Sequence, residues 1–271
     1  MAYLKGFFVV AFGMLLALPA MADTEEPEIS DKTDQSGNYL ILGLGLGYAP
    51  EYIGGDEYEF IPQPSVNAKY ENFFLNTRGF GITYSGLGYN LVDDNGFKAG
   101  PIFNLDLGRD EDQSSDLRGL GDIGTTLLGG AFVEYEPGNW RFTAAALYAL
   151  AGDVEGFGIN VSAGYDFELS RQLIVTPFVG STWVSKKYSE TYFGIDDAQS
   201  ARSGLPQYNA DSGFNNFSAG FSTRYFLDKH WAILGIASFN KLSGSAADSP
   251  LTKLRGSDTF GFGSISILYR F

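Results

Sequence analysis

The sequence predicts an all-β fold: a transmembrane, antiparallel, up-and-down β-barrel of about 12 strands in the cell outer membrane. Three observations predict it. Apolar and polar residues alternate along many segments, the connections between these segments are alternately short and long, and the chain ends on an alternating segment that closes with Phe271. Ten or fourteen strands are also compatible with the pattern, because bacterial barrels of this type have even strand numbers.

The alternation is clearest between Phe157 and Leu169, where apolar residues at odd positions alternate with small, polar or charged residues at even positions. A period of two places the two sets on opposite faces of a strand. Strands of about 9–11 residues are long enough to cross a bilayer when tilted. The predicted strands lie near 39–48, 62–70, 73–84, 87–92, 97–107, 125–136, 139–151, 156–169, 171–184, 214–227, 230–241 and 259–271.

The connections between the predicted strands alternate in length. Short, turn-like connections lie at 71–72, 93–96, 136–139, 170–171 and 228–229. Long loops of the opposite parity lie at 49–61, 108–124, 185–213 and 242–258. Outer-membrane barrels have short periplasmic turns and longer extracellular loops, whereas a Greek-key sandwich has no reason to follow this parity.

The first 22 residues predict a signal peptide that is removed on export. Lys5 precedes an apolar run at 6–18, and Ala20-Met21-Ala22 provides the small residues of a cleavage site. The run is too short for a spanning helix, which needs about 20 apolar residues. The acidic stretch 23–38 is predicted to be a flexible periplasmic lead-in, and 39–271 is predicted to form the barrel.

Aromatic residues and prolines mark positions along the predicted strands. Five aromatic residues near strand ends predict interfacial girdles: Trp140, Trp231, Tyr148, Tyr165 and Tyr225. Proline cannot donate to a strand ladder, so each proline inside a predicted strand predicts a bulge or a strand start. These prolines are Pro62, Pro64, Pro101 and Pro177.

Composition argues against several functional classes. The net charge of −14 disfavours nucleic acid as a partner, because phosphate binding needs clusters of Lys and Arg. With no cysteine and one histidine, a His/Cys metal site is excluded, and no cofactor is expected. His230 follows a short turn, so we expect it at the periplasmic rim, where it orients that turn. We therefore do not expect an enzyme.

Charged residues at inward positions of the predicted strands are candidates for the lining of the lumen. The set comprises Lys98, Asp106, Arg141, Asp166, Glu168 and Arg224. Two interpretations remain open for them. They line a pore, or they form a network of ion pairs that fills the lumen of a medium-sized barrel.

The predicted loop 108–124 is rich in acidic residues. Such acids could hold divalent cations that bridge lipopolysaccharide, but a charged loop is more often only solvated, and we favour that interpretation. The loop also lacks the spaced aspartates of a dedicated calcium loop. The acids are Asp110, Glu111, Asp112, Asp116 and Asp122.

The last predicted strand ends in an alternating aromatic pattern that closes with Tyr269 and Phe271. A terminal aromatic residue on such a strand resembles the signal that is read by the barrel-assembly machinery. We expect Tyr269 and Phe271 to carry this signal.

Several segments resemble the MipA/OmpV family of outer-membrane proteins over nearly the whole chain after residue 38. The resemblance is carried by Tyr48–Asp56, by Gly108-Arg-Asp-Glu-Asp, by Tyr192-Phe-Gly-Ile, by Ser203-Gly-Leu-Pro-Gln-Tyr208, by Ala246-Ala-Asp-Ser-Pro250 and by Tyr269-Arg-Phe271.

The resemblance implies a non-enzymatic scaffold for murein-remodelling enzymes. Its implied protein partners are a murein lytic transglycosylase and a bifunctional murein synthase. It supplies no catalytic residues. The other partners that we expect are outer-membrane lipid, lipopolysaccharide and the barrel-assembly machinery. Two alternatives remain open: a narrow channel for small solutes, and a surface adhesin or antigen that acts through the long extracellular loops, chiefly 185–213.

Overall fold

A computed structural model describes residues 37–77 and 85–271, in which the predicted alternation folds into twelve antiparallel strands. Three strands are interrupted, so the sheet comprises fifteen segments. The strands are β1 (Tyr39–Pro50), β2 (Tyr58–Pro62 and Ser65–Tyr70), β3 (Phe73–Asn76), β4 (Gly86–Tyr89 and Val92–Asp94), β5 (Phe97–Asp106), β6 (Thr126–Tyr135), β7 (Trp140–Ala151), β8 (Phe157–Tyr165 and Phe167–Glu168), β9 (Leu173–Val184), β10 (Gly213–Phe226), β11 (Trp231–Leu242) and β12 (Thr259–Arg270).

The first and last strands pair with each other, and this pairing closes the sheet into a barrel. Leu42 lies opposite Tyr269 and Tyr48 lies opposite Gly263. Closure leaves no strand edge facing lipid, where an unpaired backbone group would find no hydrogen-bond partner. The predicted strand count and strand positions are therefore confirmed, except that 78–84 of the predicted third strand lie outside the described residues. The predicted signal peptide and all but the end of the lead-in also lie outside them.

Among the described residues, no helix is both long enough and apolar enough to cross a membrane.

The two ends of the barrel differ as predicted. At one end the strands are joined by short turns, such as the two-residue turn Asn95-Gly96, with φ of 51° and 76° at its two residues. Positive φ at both central residues is the geometry of a two-residue hairpin whose twist matches its strands. At the other end the long loops follow β1, β5, β9 and β11. We name the short-turn end periplasmic and the long-loop end extracellular, following the layout of outer-membrane barrels.

The outward face is apolar and is ringed by aromatic residues near the strand ends. Leu44 and Leu46 of β1 are exposed on this face, as are Trp140, Trp231 and Tyr225 near the periplasmic end. These positions are those that acyl chains and headgroups contact in outer-membrane barrels.

Each proline inside a predicted strand lies at or opposite an interruption of the ladder. Pro62 ends the first segment of β2, and Pro64 lies in the gap before the second segment. Across from Pro101, the pairing of β4 with β5 shifts by one residue between Gly88 and Val92. Pro177 lies opposite the end of the first segment of β8. The missing N–H groups account for these positions.

The extracellular loops contain helices that the alternation did not predict. They are α1 (Lys186–Phe193), α2 (Asp197–Ser203), α3 (Gly244–Asp248) and α4 (Pro250–Arg255), with two short 3₁₀ turns at Glu111–Gln113 and Ser115–Leu117. Local sequence explains their ends. Asp196 and Gln199 form a capping box before α2, Gly204 ends it with φ of 76°, and Pro250 opens α4.

Candidate functional site: the barrel lumen and its extracellular cap

Charged side chains from neighbouring strands meet in the periplasmic part of the lumen. The Lys98 ammonium lies 3.0 Å from a Glu134 carboxylate oxygen and 3.1 Å from a Glu136 carboxylate oxygen. Arg141 Nε lies 2.6 Å from the other oxygen of Glu136. These residues come from β5, β6, the following turn and β7, so the sheet register brings them together.

A second pair continues the network along the barrel wall, from β8 to β10. Arg224 Nη2 of β10 lies 2.8 Å from Asp166 Oδ2, and Asp166 also accepts a hydrogen bond from the Thr176 hydroxyl at 2.5 Å. Asp166 lies at the interruption of β8. We call Lys98, Glu134, Glu136, Arg141, Asp166 and Arg224 the lumen network.

Four of the six predicted lumen charges therefore come together, in pairs of opposite sign. Glu168 is exposed in the last segment of β8 and makes no ion pair among the described residues. Asp106 lies at the other end of the lumen, where its partners are tyrosines. Glu134 and Glu136 are members that the sequence did not single out, and Glu136 belongs to a turn that alternation does not describe.

Apolar side chains occupy the lumen above the lumen network. Ile102 is 0% exposed and Phe132 is 1% exposed, and the ring of Phe74 meets that of Phe132 edge-on at 5.1 Å. Ala145 and Leu147 pack against this cluster. Phe178 and Phe262, on strands of the other half of the barrel, are also buried. In small barrels, interior positions are filled by side chains in this way.

The long loops pack into an ordered cap on the extracellular end. We define the cap as residues 51–57, 107–125, 185–212 and 243–258. Its first core cluster draws on all four segments and comprises Tyr52, Leu117, Leu120, Ile195, Leu205 and Leu251. Its second cluster joins the cap to β11 and β12 and comprises Phe193, Ala210, Leu242, Ala246 and Phe260.

Asp106, at the extracellular end of β5, ties α1 to the barrel wall. The hydroxyl groups of Tyr188 and Tyr192 donate to its two carboxylate oxygens at 3.1 and 2.5 Å. The pKa of Tyr188 is raised, chiefly by burial and to a smaller extent by the nearby Asp106 carboxylate. The pKa of Tyr192 is also raised, chiefly by burial and then by the neighbouring Tyr188 and Asp106. Both phenols therefore stay protonated and act as donors.

Arginines hold the cap through backbone carbonyl groups. Arg255 Nη1 donates to the carbonyl oxygen of Asp116 at 2.7 Å, and its Nη2 donates to that of Ser203 at the end of α2. Arg202 Nε donates to Gly119 O at 3.2 Å, and Arg109 Nη1 donates to Tyr192 O at 3.0 Å. None of these three arginines forms an ion pair within the described ranges.

The acidic residues of 108–124 organise their own loop. Asp110 accepts from the Asp112 amide at 2.9 Å, and Glu111 accepts from the Gly121 amide at 2.6 Å. Asp122 accepts from the Glu111 amide at 2.8 Å. Within the part of the chain that the structure describes, no group of three His, Cys, Asp or Glu side chains could hold a metal ion. The loop is folded on its own backbone rather than merely solvated.

His230 and the chain end meet at the periplasmic rim. His230 Nδ1 lies 2.8 Å from the carbonyl oxygen of Arg270, and its ring stacks on Tyr269 with centroids 5.6 Å apart. The Tyr269 ring also meets Phe271 edge-on at 4.7 Å. His230 thus joins the β10–β11 turn to β12, as expected of a residue that orients a turn.

Comparison with known proteins identifies the family. The family model described as "MltA-interacting protein MipA" matches residues 42–271, which cover the whole described barrel except its first residues. The chain belongs to the MipA family. Its outer-membrane location follows from this membership and from the barrel.

Two relatives and one solved structure are similar to this chain. The MltA-interacting protein of Escherichia coli K12 is 27% identical over 97% of this chain and 98% of its own length. Outer membrane protein OmpV of Vibrio cholerae is 22% identical over 66% of this chain and 70% of its own length. The solved structure of the NanC porin superposes with a TM-score of 0.48 at 12% identity, over 84% of this chain and 98% of that one.

Five of the six segments that carry the family resemblance converge in the cap, and the sixth, Tyr269-Arg-Phe271, lies at the periplasmic rim. Tyr52, Phe193, Leu205, Ala246 and Pro250 belong to four of them, and all except Pro250 contribute to the two core clusters. Sequence reasoning placed these residues in long extracellular loops and predicted no core for them. The signal that it passed over is the aromatic and aliphatic content of those loops, which a solvated connection has no reason to carry.

Proposed function

We propose that the protein is a non-enzymatic docking protein that presents its periplasmic end to murein-remodelling enzymes. The partners are a lytic transglycosylase and, through it, a murein synthase. The name of the Escherichia coli relative, MltA-interacting protein, supports this proposal.

The observation that carries the proposal is the filled lumen. The lumen network pairs its charges with each other, and the layer at Ile102 and Phe132 is almost wholly buried. A conducting pore needs unsatisfied polar groups along a wetted path. This arrangement favours a structural barrel over the channel alternative, because the charges that would line a pore are used to satisfy one another.

The chemistry of the rim supports the non-enzymatic part of the proposal. His230 is the single histidine of the chain, and its Nδ1 is engaged with a backbone carbonyl group. Asp228 accepts from the backbone amides of His230 and Trp231. A hydrolytic triad would need a nucleophile at the other ring nitrogen, Nε2, and no side chain of residues 37–77 or 85–271 forms a hydrogen bond with that nitrogen.

The charged residues of the periplasmic rim indicate which kind of partner surface would bind there. Glu71 is exposed on the turn after β2, and Asp93 and Asp94 are exposed at the end of β4, beside the neighbouring turn. Asp93 also pairs with Lys69 at 3.2 Å. Arg171 and Lys229 lie on turns of the opposite half of the rim. We expect a partner with a basic surface to contact the acidic half, because complementary charge sets the orientation of docking.

A binding experiment tests this proposal. The refolded barrel is immobilised in detergent, and its affinity for a purified MltA-type lytic transglycosylase is measured. We expect binding that weakens at least tenfold in a Glu71→Lys/Asp94→Lys variant. A matched variant at the extracellular end, Asp197→Lys, should bind as the unmodified chain does. Absence of binding, or equal loss in both variants, would contradict the proposal.

We further propose that Tyr269 and Phe271 form the signal for the barrel-assembly machinery. Phe271 is exposed at the end of β12 beside the aromatic girdle. Replacing Phe271 with Ser should lower the amount of barrel assembled in the outer membrane of growing cells severalfold, while in vitro refolding stays efficient. Unchanged assembly would contradict this role.

A further inference from the structure

Arg109 is the one buried arginine of the cap. It is 9% exposed and lies just after β5, where its backbone exchanges two hydrogen bonds with Ile123 at 2.9 and 2.7 Å. Its Nη1 donates to Tyr192 O. Its Nε is fully buried and meets no acceptor in the described ranges 37–77 and 85–271.

The charge of Arg109 also lacks a counter-charge. No carboxylate of the described residues lies within 4.0 Å of its guanidinium group. Burial lowers the pKa of Arg109, and the groups that oppose this are the phenols of Tyr192 and Tyr52 rather than an acid. A guanidinium group nevertheless stays protonated in proteins. A buried, unpaired cation is strongly unfavourable unless an anion or a set of acceptors meets it.

Two other arginines of the cap show that structural anchoring alone does not explain this arrangement. Arg255 uses both terminal nitrogens on backbone carbonyl groups and is partly exposed, and Arg202 is exposed to solvent. Arg109 uses only Nη1, and no hydrogen bond from its Nη2 reaches another described residue. The edge formed by Nε and Nη2 is therefore unused.

We propose that this edge of Arg109 binds a small oxyanion of the carboxylate or phosphate class inside the cap. Two parallel N–H groups match the two oxygens of such a group, and this bidentate geometry is the strongest form of the interaction. Tyr192 lies beside the site, because its carbonyl oxygen accepts the hydrogen bond from Nη1.

Thermal unfolding of the refolded protein tests the site. Sodium acetate or inorganic phosphate replaces sodium chloride at constant ionic strength, and the unfolding temperature is measured against anion concentration. A ligand that binds only the folded state raises this temperature saturably. We expect a rise of about 2–4 °C with at least one of the two anions. The anion that acts distinguishes a carboxylate site from a phosphate site.

Variants distinguish anion binding at Arg109 from a general effect of salt on the unfolding temperature. Arg109→Gln should abolish the anion-dependent rise, and Arg109→Lys should weaken it, because an ammonium group cannot bind bidentately. Arg255→Gln is the matched control: it removes carbonyl anchors from the same cap, so it should lower the unfolding temperature but keep the rise. No effect of either anion on the unmodified protein, or an equal rise in Arg109→Gln, would overturn the proposal. If Arg109→Gln does not fold, the anion titration of the unmodified protein still tests the proposal.

Discussion

The two ends of the barrel interior are held together by different means. At the periplasmic end, the lumen network joins charged side chains that neighbouring strands hold in register, as in the Arg224–Asp166 pair. At the extracellular end, the cap relies on an apolar core and on arginines that bind backbone carbonyl groups. Strands fix the positions of charges at a known spacing, whereas loops must first be ordered by a core of their own. The ion pairs at the periplasmic end are partly buried, whereas those of the cap, such as Lys186–Asp211, are exposed and an apolar core holds the cap together.

Breaking the Arg224–Asp166 pair should have the largest effect. Removing one partner of a buried pair leaves an uncompensated charge, which costs about 3–5 kcal/mol. Arg224→Met should therefore lower the free energy of unfolding by about that amount, measured by denaturant unfolding in detergent. Arg224→Met/Asp166→Leu should recover most of the loss. A double variant as unstable as the single one would show that the pair does not act as a unit.

A cavity in the cap core should have a smaller effect, and a local one. Leu251 is buried among residues of all four cap segments, and Leu→Ala replacements in cores cost about 2–5 kcal/mol. Leu251→Ala should speed amide hydrogen exchange in α1, α2 and α4 but leave the strands protected. Leu254→Ala, at an exposed position of the same helix, is the control and should change neither. Equal loss of protection in the strands would show that cap and barrel unfold as one unit.

Loosening the contact between the cap and the wall should cost still less. Tyr192→Phe removes one hydroxyl donor from Asp106 while Tyr188 remains, and a hydrogen bond to a charged group contributes about 1.5–3 kcal/mol. We expect cleavage of 185–212 by an added protease to become severalfold faster. Tyr208→Phe, which removes a hydroxyl that donates to Ser245 O elsewhere in the cap, serves as the comparison. Faster cleavage in that variant alone would contradict the assigned role of Asp106.

The smallest predicted effect is on the loss of unfolding free energy at acidic pH. Burial acts to raise the pKa of Glu136, but Arg141 and Lys98 outweigh it and hold this pKa below its usual range. A depressed folded-state pKa contributes stability above the unfolded value, near pH 4.5, and this stability is lost as pH falls through the folded value. Glu136→Gln should flatten the decline in unfolding free energy below about pH 4.5. Glu168→Gln, at an exposed position without an ion pair, should leave the decline as it is.

The strands could be predicted from the sequence much more completely than the cap. Alternation predicted β8 and β10 almost to the residue, because a period of two is fixed by strand geometry and one face must meet lipid. It also placed Lys98, Arg141, Asp166 and Arg224 on the inward face. It could not show that they form opposite-charge pairs, because that depends on register between strands.

The cap could not be predicted because it has no periodicity. Its core residues are scattered over four loops, and Tyr52 and Leu251 are separated by almost the whole barrel in sequence while packing into one cluster. Only the family resemblance pointed to these segments, and it gave no contacts. Arg109 was visible as a charged loop residue, but its burial emerges only when the loops fold together.

Conductance of the refolded barrel in a planar bilayer tests the central claim most directly, with circular dichroism confirming β structure. If the lumen network and the cap close the lumen, the folded barrel inserts and stays silent at all moderate voltages. A reproducible, ion-selective step in the unmodified protein would contradict the account and make Arg141, Asp166 and Arg224 the first residues to replace.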